Sequence, residues 1–386
     1  MRIKLVKKTF FKETETKKKL ANFIIQARFL SMGEETKKFE ESFAKKQERK
    51  FAVMTSSGSA ANLLLLQAFK NIGYLKNGDK IGVSSITWST NIFPIMQLGM
   101  TPVILDSEIN TLNVSPATLK KKISGLDALF LTNVLGFCDN LGEIAELCWD
   151  NKILFFEDNC ESLGSKFQGK LLGNFGEAAT FSFYVAHHIS TIEGGMVVTD
   201  NEDLYHELLI ARAHGWDRDL PEEKQKKLRL DGNVDDFYSQ FTFYKLGYNL
   251  RPTDIQGFLG NDQLQYWDHI VQVRSKNFQI FNNAIRNNKN LIAIDTGHME
   301  LVSNFTVPVI ARTKELCERY KKIFTEADVD IRPIIAGNIS RHPYWKGENS
   351  NDLEGANFIH ENGFYFTNSP DLSEEEIKYL INLLQS

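Results

Sequence analysis

The chain is expected to fold as an α/β protein, with a mostly parallel sheet wrapped by helices and a smaller C-terminal α+β domain. Three observations lead there. From about residue 50, short runs rich in Val, Ile, Leu and Phe alternate with helical stretches, the pattern of parallel strands covered on both faces. At 386 residues the chain is too long for one simple core. After Tyr266 the alternation gives way to a long helical stretch and a few strand-like runs.

The strands are placed at Phe51–Met54, Lys80–Val83, Pro102–Asp106, Ala128–Asn133, Ile153–Asp158, Ala179–Phe183 and Met196–Thr199. Between them Ser59–Lys70, Ser115–Lys122 and Leu141–Asp150 are assigned as helices, the alternation expected of a parallel sheet. The polar stretch Asp217–Ser239 fits an inserted loop or surface helix. In the smaller domain Phe305–Ile310 and Asp330–Ile335 are assigned as strands. The final helix spans Ser373–Leu384, with Ser373 as its N-cap and Glu374–Glu376 in its first turn. The domain plan is an N-terminal arm or helix over 1–28, a large domain over 29–265 and a small one over 266–386.

Composition narrows the function. Hydrophobic residues make up 42% and charged residues 24%, ordinary for a globular protein. A formal net charge of −4 argues against a general nucleic-acid binder. The first twenty residues are basic but lack the apolar stretch of a signal peptide, so a solvated N-terminal helix or arm is expected. No apolar run approaches the roughly 20 residues of a membrane span. Cys138, Cys148, Cys160 and Cys317 are scattered, without metal-binding spacing, and fit free thiols in a reducing cytoplasm.

Ligands in such sheets sit beyond the carboxyl ends of the strands, and several polar motifs fall there. Thr55-Ser56-Ser57-Gly58-Ser59-Ala60-Ala61 opens a helix after a strand. Free N–H groups at such a start suit a phosphate, Gly58 admits close approach and Ser59 adds a hydroxyl. Asp158 ends an apolar strand in Phe155-Phe156-Glu157-Asp158, and a carboxylate there is costly to bury without a partner. A helix-capping or turn aspartate is the structural alternative. On the residues alone, Trp88 also fits a core residue and Asn249 an ordinary turn residue.

The segment Phe181-Ser182-Phe183-Tyr184-Val185-Ala186-His187-His188-Ile189-Ser190-Thr191-Ile192-Glu193-Gly194-Gly195 resembles the cofactor-lysine segment of the sugar aminotransferase family that uses pyridoxal phosphate. In that family a lysine stands five residues after the serine of Phe-Ser-Phe and six before Glu-Gly-Gly. Both counts land on His187, and no lysine lies between Lys170 and Lys224. The resemblance runs from about Phe29 to the C-terminus and implies the pyridoxal-phosphate-dependent transferase fold type I, with a seven-stranded type of sheet. It implies a phosphate cup at Gly58 and Ser59 with Ser182 in reach, Trp88 stacked on the pyridine ring, and Asp158 on the pyridine nitrogen. Glu161 stands where most of the family has glutamine. Asn249, in Gly247-Tyr248-Asn249-Leu250-Arg251, matches an asparagine that reaches the phosphate of a neighbouring subunit, which implies a homodimer with sites at the interface.

The lysine-to-histidine change resembles a small branch of sugar dehydratases within that family. Imidazole cannot form a lysine's covalent link to the cofactor aldehyde, but it moves protons near neutral pH. The resemblance implies pyridoxal 5'-phosphate or pyridoxamine 5'-phosphate held non-covalently, a GDP-linked 4-keto-6-deoxy sugar that loses its C3 hydroxyl, and L-glutamate to restore the cofactor amine. Ammonia and 2-oxoglutarate leave. His187 is the expected acid–base residue. His188, its neighbour in an extended segment, is expected to face away. His214, Arg218, Arg251 and Arg332 are the candidate substrate anchors, the arginines through bidentate pairing with carboxylate or pyrophosphate. Each arginine alone also fits a surface residue. Three other functions stay open: a nucleotide-sugar aminotransferase using another lysine, an iron–sulfur 3-dehydrase of the CDP-linked kind, and a non-catalytic cofactor-binding sensor.

Overall fold

The computed structural model describes residues 2–347 and 352–386. An extended arm leads into α1 (Glu13–Gln26), α2 (Glu34–Gln47), β1 (Phe51–Thr55) and α3 (Gly58–Asn71). There follow β2 (Lys80–Ser84), α4 (Phe93–Gln97), β3 (Thr101–Leu105), α5 (Pro116–Lys120), β4 (Ala128–Thr132), α6 (Leu141–Asp150) and β5 (Leu154–Asp158). Two-residue strands β6 (Lys166–Phe167) and β7 (Lys170–Leu171) precede β8 (Ala178–Ser182), β9 (Gly195–Thr199), α7 (Glu202–Arg212), α8 (Glu222–Asp231), α9 (Asp254–Leu264) and α10 (Trp267–Arg286). The chain closes with β10 (Leu291–Ile292), β11 (Met299–Leu301), β12 (Thr306–Ala311), α11 (Lys314–Glu326), α12 (Glu354–Asn362), β13 (Gly363–Thr367) and α13 (Glu374–Leu384).

The central sheet has seven strands in the order β1-β9-β8-β5-β4-β2-β3. Strand β9 runs antiparallel to both neighbours, and the other recorded pairings are parallel. The strands are five-residue apolar runs; β4 and β9 are buried at every position, because helices cover both faces. Register fixes the site. Asp158 pairs with Thr132 at the end of β4 and with Thr180 in the middle of β8, and Gly195 lies between Thr55 and Ser182. A Cβ on Gly195 would stand 2.2 Å from the Ser57 carbonyl oxygen. Glycine is required there for the turn after β1 to close over β9.

A second sheet, β10-β12-β13, is antiparallel and three-stranded. With Phe281 of α10, Tyr320 and Phe324 of α11 and Leu380 of α13 it encloses a separate core. Helix α13 starts as expected: Ser373 accepts from the Glu376 N–H at 3.2 Å and the Glu376 carboxylate accepts from the Ser373 N–H at 2.8 Å, a reciprocal cap.

Two expectations are corrected. Asp330–Ile335 is not a strand: only Arg332 bridges to Tyr365, Pro333 has no N–H to give, and Ile335 turns the chain at φ 50°. The place beside β12 goes to β13. The N-terminal arm is not simply solvated. Ile3 is buried in the second core, and Lys7 and Lys8 pair with Glu376 and Asp371. The insertion holds the exposed helix α8, as expected, with Asp217 at its start fully buried 2.7 Å from Arg229.

Candidate active site

A cavity of about 720 Å³ opens over the carboxyl ends of the central strands. Its floor holds Asp158, which is 4% exposed. Oδ2 accepts from the side-chain amides of Asn62 at 3.0 Å and Asn91 at 2.8 Å, and Oδ1 accepts from the Cys160 N–H at 2.9 Å. Among the described residues no lysine or arginine forms an ion pair with this carboxylate. A buried anion held by neutral donors lacks the cation that would balance it, and a protonated pyridine nitrogen supplies one. The two asparagines were not singled out from sequence. Asn91 ends the Trp88 motif and Asn62 lies one turn into α3, so each could pass for a capping or turn residue.

The start of α3 faces the same cavity. Ser57 caps it, accepting from the Ala60 N–H at 3.1 Å, and Ala61 N–H donates to the Ser57 carbonyl at 3.0 Å. The N–H groups of Gly58 and Ser59 precede the intrahelical ladder and have no partner within it. A Cβ on Gly58 would lie 2.6 Å from Cβ of Ser182 and 3.1 Å from Sγ of Cys160. The helix start and Ser182 therefore close on one another as a small cup with hydroxyls and N–H groups, fitted to a phosphate. Trp88 lines the cavity with 55% of its surface exposed. A large aromatic left open beside a cavity offers a face for a flat ring.

His187 lines the cavity between these groups. Its Nδ1 is enclosed and without a hydrogen-bond partner, and its ring leans on Phe305, with ring centres 5.2 Å apart. Burial pushes its pKa down to about 4, with Arg274 adding to the effect against the Ser182 carbonyl and Asp158. At neutral pH the imidazole is uncharged and able to accept a proton. His188 faces elsewhere: it is buried, its Nε2 lies 3.1 Å from the Ser303 carbonyl oxygen, and it does not line this cavity.

Glu161 reaches the cavity from the loop after β5. Its Oε2 accepts from the Leu135 N–H at 3.0 Å. Burial foremost, with Asp158 nearby, raises its pKa to about 8 against that hydrogen bond, so it is a neutral acid at pH 7. Arg332 and Tyr365 also line the cavity.

The remaining candidates stand apart. His214, Arg218, Arg251 and Asn249 do not line the cavity of their own chain. Three of them gather on Trp216: the Arg218 guanidinium lies 3.8 Å from the indole centre, Arg251 5.4 Å, and the His214 ring 4.9 Å. Arg251 Nε donates to the Asn249 side-chain oxygen at 3.0 Å. Within one chain His214, Arg218 and Arg251 therefore gather on Trp216 and not in the lining of this cavity. Among the described residues no group of three or more His, Cys, Asp or Glu is arranged to hold a metal.

Residues 12–385 match the DegT/DnrJ/EryC1/StrS aminotransferase family. The chain belongs to this family. Among its relatives is a GDP-4-keto-6-deoxy-D-mannose 3-dehydratase of Escherichia coli O55:H7, 35% identical over 370 residues that cover 94% of this chain and 95% of that one. A crystal structure of GDP-4-keto-6-deoxymannose-3-dehydratase with a trapped PLP–glutamate geminal diamine superposes with a TM-score of 0.90 at 33% identity, covering 99% of this chain and all of the other. A structure of the same enzyme, carrying a histidine-to-asparagine substitution and bound GDP-perosamine, has the same score, identity and coverage. The family fold is the one described above, an α/β sheet with helices on both faces. No helix among the described residues is long and apolar enough to cross a membrane.

Proposed function

We propose that this chain is a pyridoxamine-phosphate-dependent dehydratase that removes the C3 hydroxyl of a GDP-linked 4-keto-6-deoxy sugar and consumes L-glutamate, in the cytoplasm. The observation that carries the reading is the imidazole of His187, uncharged and without a partner at Nδ1, in the place of the family's lysine. The relatives named above supply the sugar and the amino acid.

Gly58 and Ser59, with the Ser182 hydroxyl, hold the cofactor phosphate, Trp88 covers one face of its ring and Asp158 keeps a proton on its pyridine nitrogen. When bound, the cofactor offers an amine for the C4 ketone and a charged ring that takes up electrons. His187 begins neutral, accepts a proton as general base and gives one to the departing C3 oxygen as general acid, work worth about 10²–10⁴-fold. With no lysine at this position, the protein has no amine competing for the cofactor there. Asn249 completes the phosphate site of a second copy, which makes the enzyme a homodimer with its sites at the interface. The chain boundary between large and small domains falls near Tyr266, where α10 begins.

The test is incubation with pyridoxal phosphate, L-glutamate and GDP-4-keto-6-deoxymannose, followed by mass spectrometry of the sugar nucleotide. A product lacking one oxygen at C3, with ammonia and 2-oxoglutarate released, is expected. An amino sugar would make the chain an aminotransferase, and an unchanged sugar across GDP- and CDP-linked ketones would favour a sensor.

A further inference from the structure

We infer that Lys4, on the N-terminal arm, and Arg332 form an anion-binding edge of the cavity that takes a carboxylate or phosphate group of the substrates. The inference rests on the reading above for which substrates enter, and on the structure for where their charge is received.

The arm is built into the wall of the site. Ile3 is buried, its N–H donates to the Asp328 carbonyl at 2.9 Å and its carbonyl accepts from the Asp330 N–H at 2.9 Å. Leu5 N–H reaches the Asp330 carboxylate at 3.3 Å, and the Leu5 carbonyl accepts from the Thr367 hydroxyl at 2.9 Å. Residue 4 is thus held from both sides in an extended segment. Side chains alternate there, so with Ile3 turned into the core, Lys4 is turned outward, and it lines the cavity together with Leu5 and Val6.

The charges leave Lys4 available. Lys7 and Lys8 on the same arm are taken up by Glu376 and Asp371, and Lys19 by Asp262 and Glu15. Lys4 has no such carboxylate among the described residues. Arg332 lies across the cavity edge, its backbone fixed by the bridge to Tyr365. One guanidinium nitrogen donates to the Ile331 carbonyl at 2.8 Å, and no carboxylate pairs with it among the described residues. The same lining carries the carboxyl groups of Asp158, Glu161, Glu193 and Asp330, the last accepting from the Leu5 N–H next to Lys4. An anionic group among the Asp158, Glu193 and Asp330 carboxylates needs compensation, and a guanidinium fork and an ammonium lining the same cavity match a carboxylate or a diphosphate. Both proposed substrates carry such groups: the two carboxylates of glutamate, and the diphosphate of the sugar nucleotide.

The experiment is isothermal titration of GDP, and separately of glutarate, into cofactor-loaded wild-type protein and its Lys4→Met and Lys4→Arg variants. Lys4→Met is expected to weaken one of the two probes about 10-fold, the loss of one charge-assisted contact, with Lys4→Arg retaining most of the affinity. Weakened GDP binding assigns the edge to the diphosphate, and weakened glutarate binding assigns it to the amino acid. An unchanged urea midpoint separates lost binding from a displaced arm. If both probes bind Lys4→Met as they bind wild type, the inference is wrong. Because neither titration requires turnover, it can fail while the dehydratase reading stands, and it can succeed if the product proves to be an amino sugar.

Discussion

Glu161→Gln is expected to make the cofactor-free protein more stable, and only above mildly acidic pH. The folded chain keeps Glu161 protonated up to about pH 8, whereas the ordinary value is 4.5. Between those values the unfolded chain has released a proton that the folded chain retains, so stability falls as pH rises through this window, and the cost is complete above it. Each pKa unit is worth about 1.4 kcal/mol, so the climb from 4.5 to about 8 amounts to roughly 5 kcal/mol as a ceiling. The cavity admits water, which relaxes part of that, leaving about 2–4 kcal/mol. Glutamine keeps the shape and an oxygen to accept from the Leu135 N–H, the bond now 3.0 Å long, but it carries no charge. Urea denaturation at pH 4 and pH 9 decides the matter. The two proteins should match at the acid end and diverge by about 2–4 kcal/mol at the basic end. Parallel pH profiles would refute the argument, because Glu161 would then be solvated like an ordinary carboxylate.

Three further outcomes follow from the geometry. Trp88→Ala should weaken cofactor binding about 10-fold, the loss of a stacked face, without moving the urea midpoint, since the indole is 55% exposed; fluorescence titration with pyridoxal phosphate measures it. Asp158→Ala strips the acceptor from Asn62, Asn91 and the Cys160 N–H, and should lower kcat at least about 100-fold in an ammonia-release assay. Gly58→Ala drives a methyl to 2.6 Å from Cβ of Ser182 and should open the phosphate cup, costing about 1–3 kcal/mol, read as a weaker cofactor titration.

Most of the sheet was legible because its strands are short, apolar and buried on both faces; Leu141–Asp150 matches its helix residue for residue and the central strands agree to within about two residues at each end. The signals are strong where one kind of force decides the structure. They fail where the chain is placed by long-range pairing. Asp330–Ile335 carries isoleucines like a strand, yet a proline and a left-handed turn stop it, and the pairing goes to Gly363–Thr367, whose opening glycine hides its strand character. The site shows the same division. Asp158 and Gly58 stand at a strand end and a helix start, and His187 in the loop after β8, where counting along the chain locates them. Asn62 and Asn91 act through an amide each, and nothing in their neighbours marks them. Lys4 was invisible because its arm reaches the cavity only after Ile3 enters the distant second core. Nothing in the spacing of Arg218 and Arg251 marks that Trp216 gathers both guanidinium groups.

The proposed chemistry requires a cofactor that the protein holds without a covalent bond. Borohydride reduction of the pyridoxal-phosphate-loaded protein, followed by intact-mass measurement, tests this most directly. The wild-type chain should gain no mass, while His187→Lys should gain that of one reduced cofactor. A reduced adduct on the wild-type chain would contradict the account, and Lys4, the lysine lining the cavity among the described residues, is the first place to look for it.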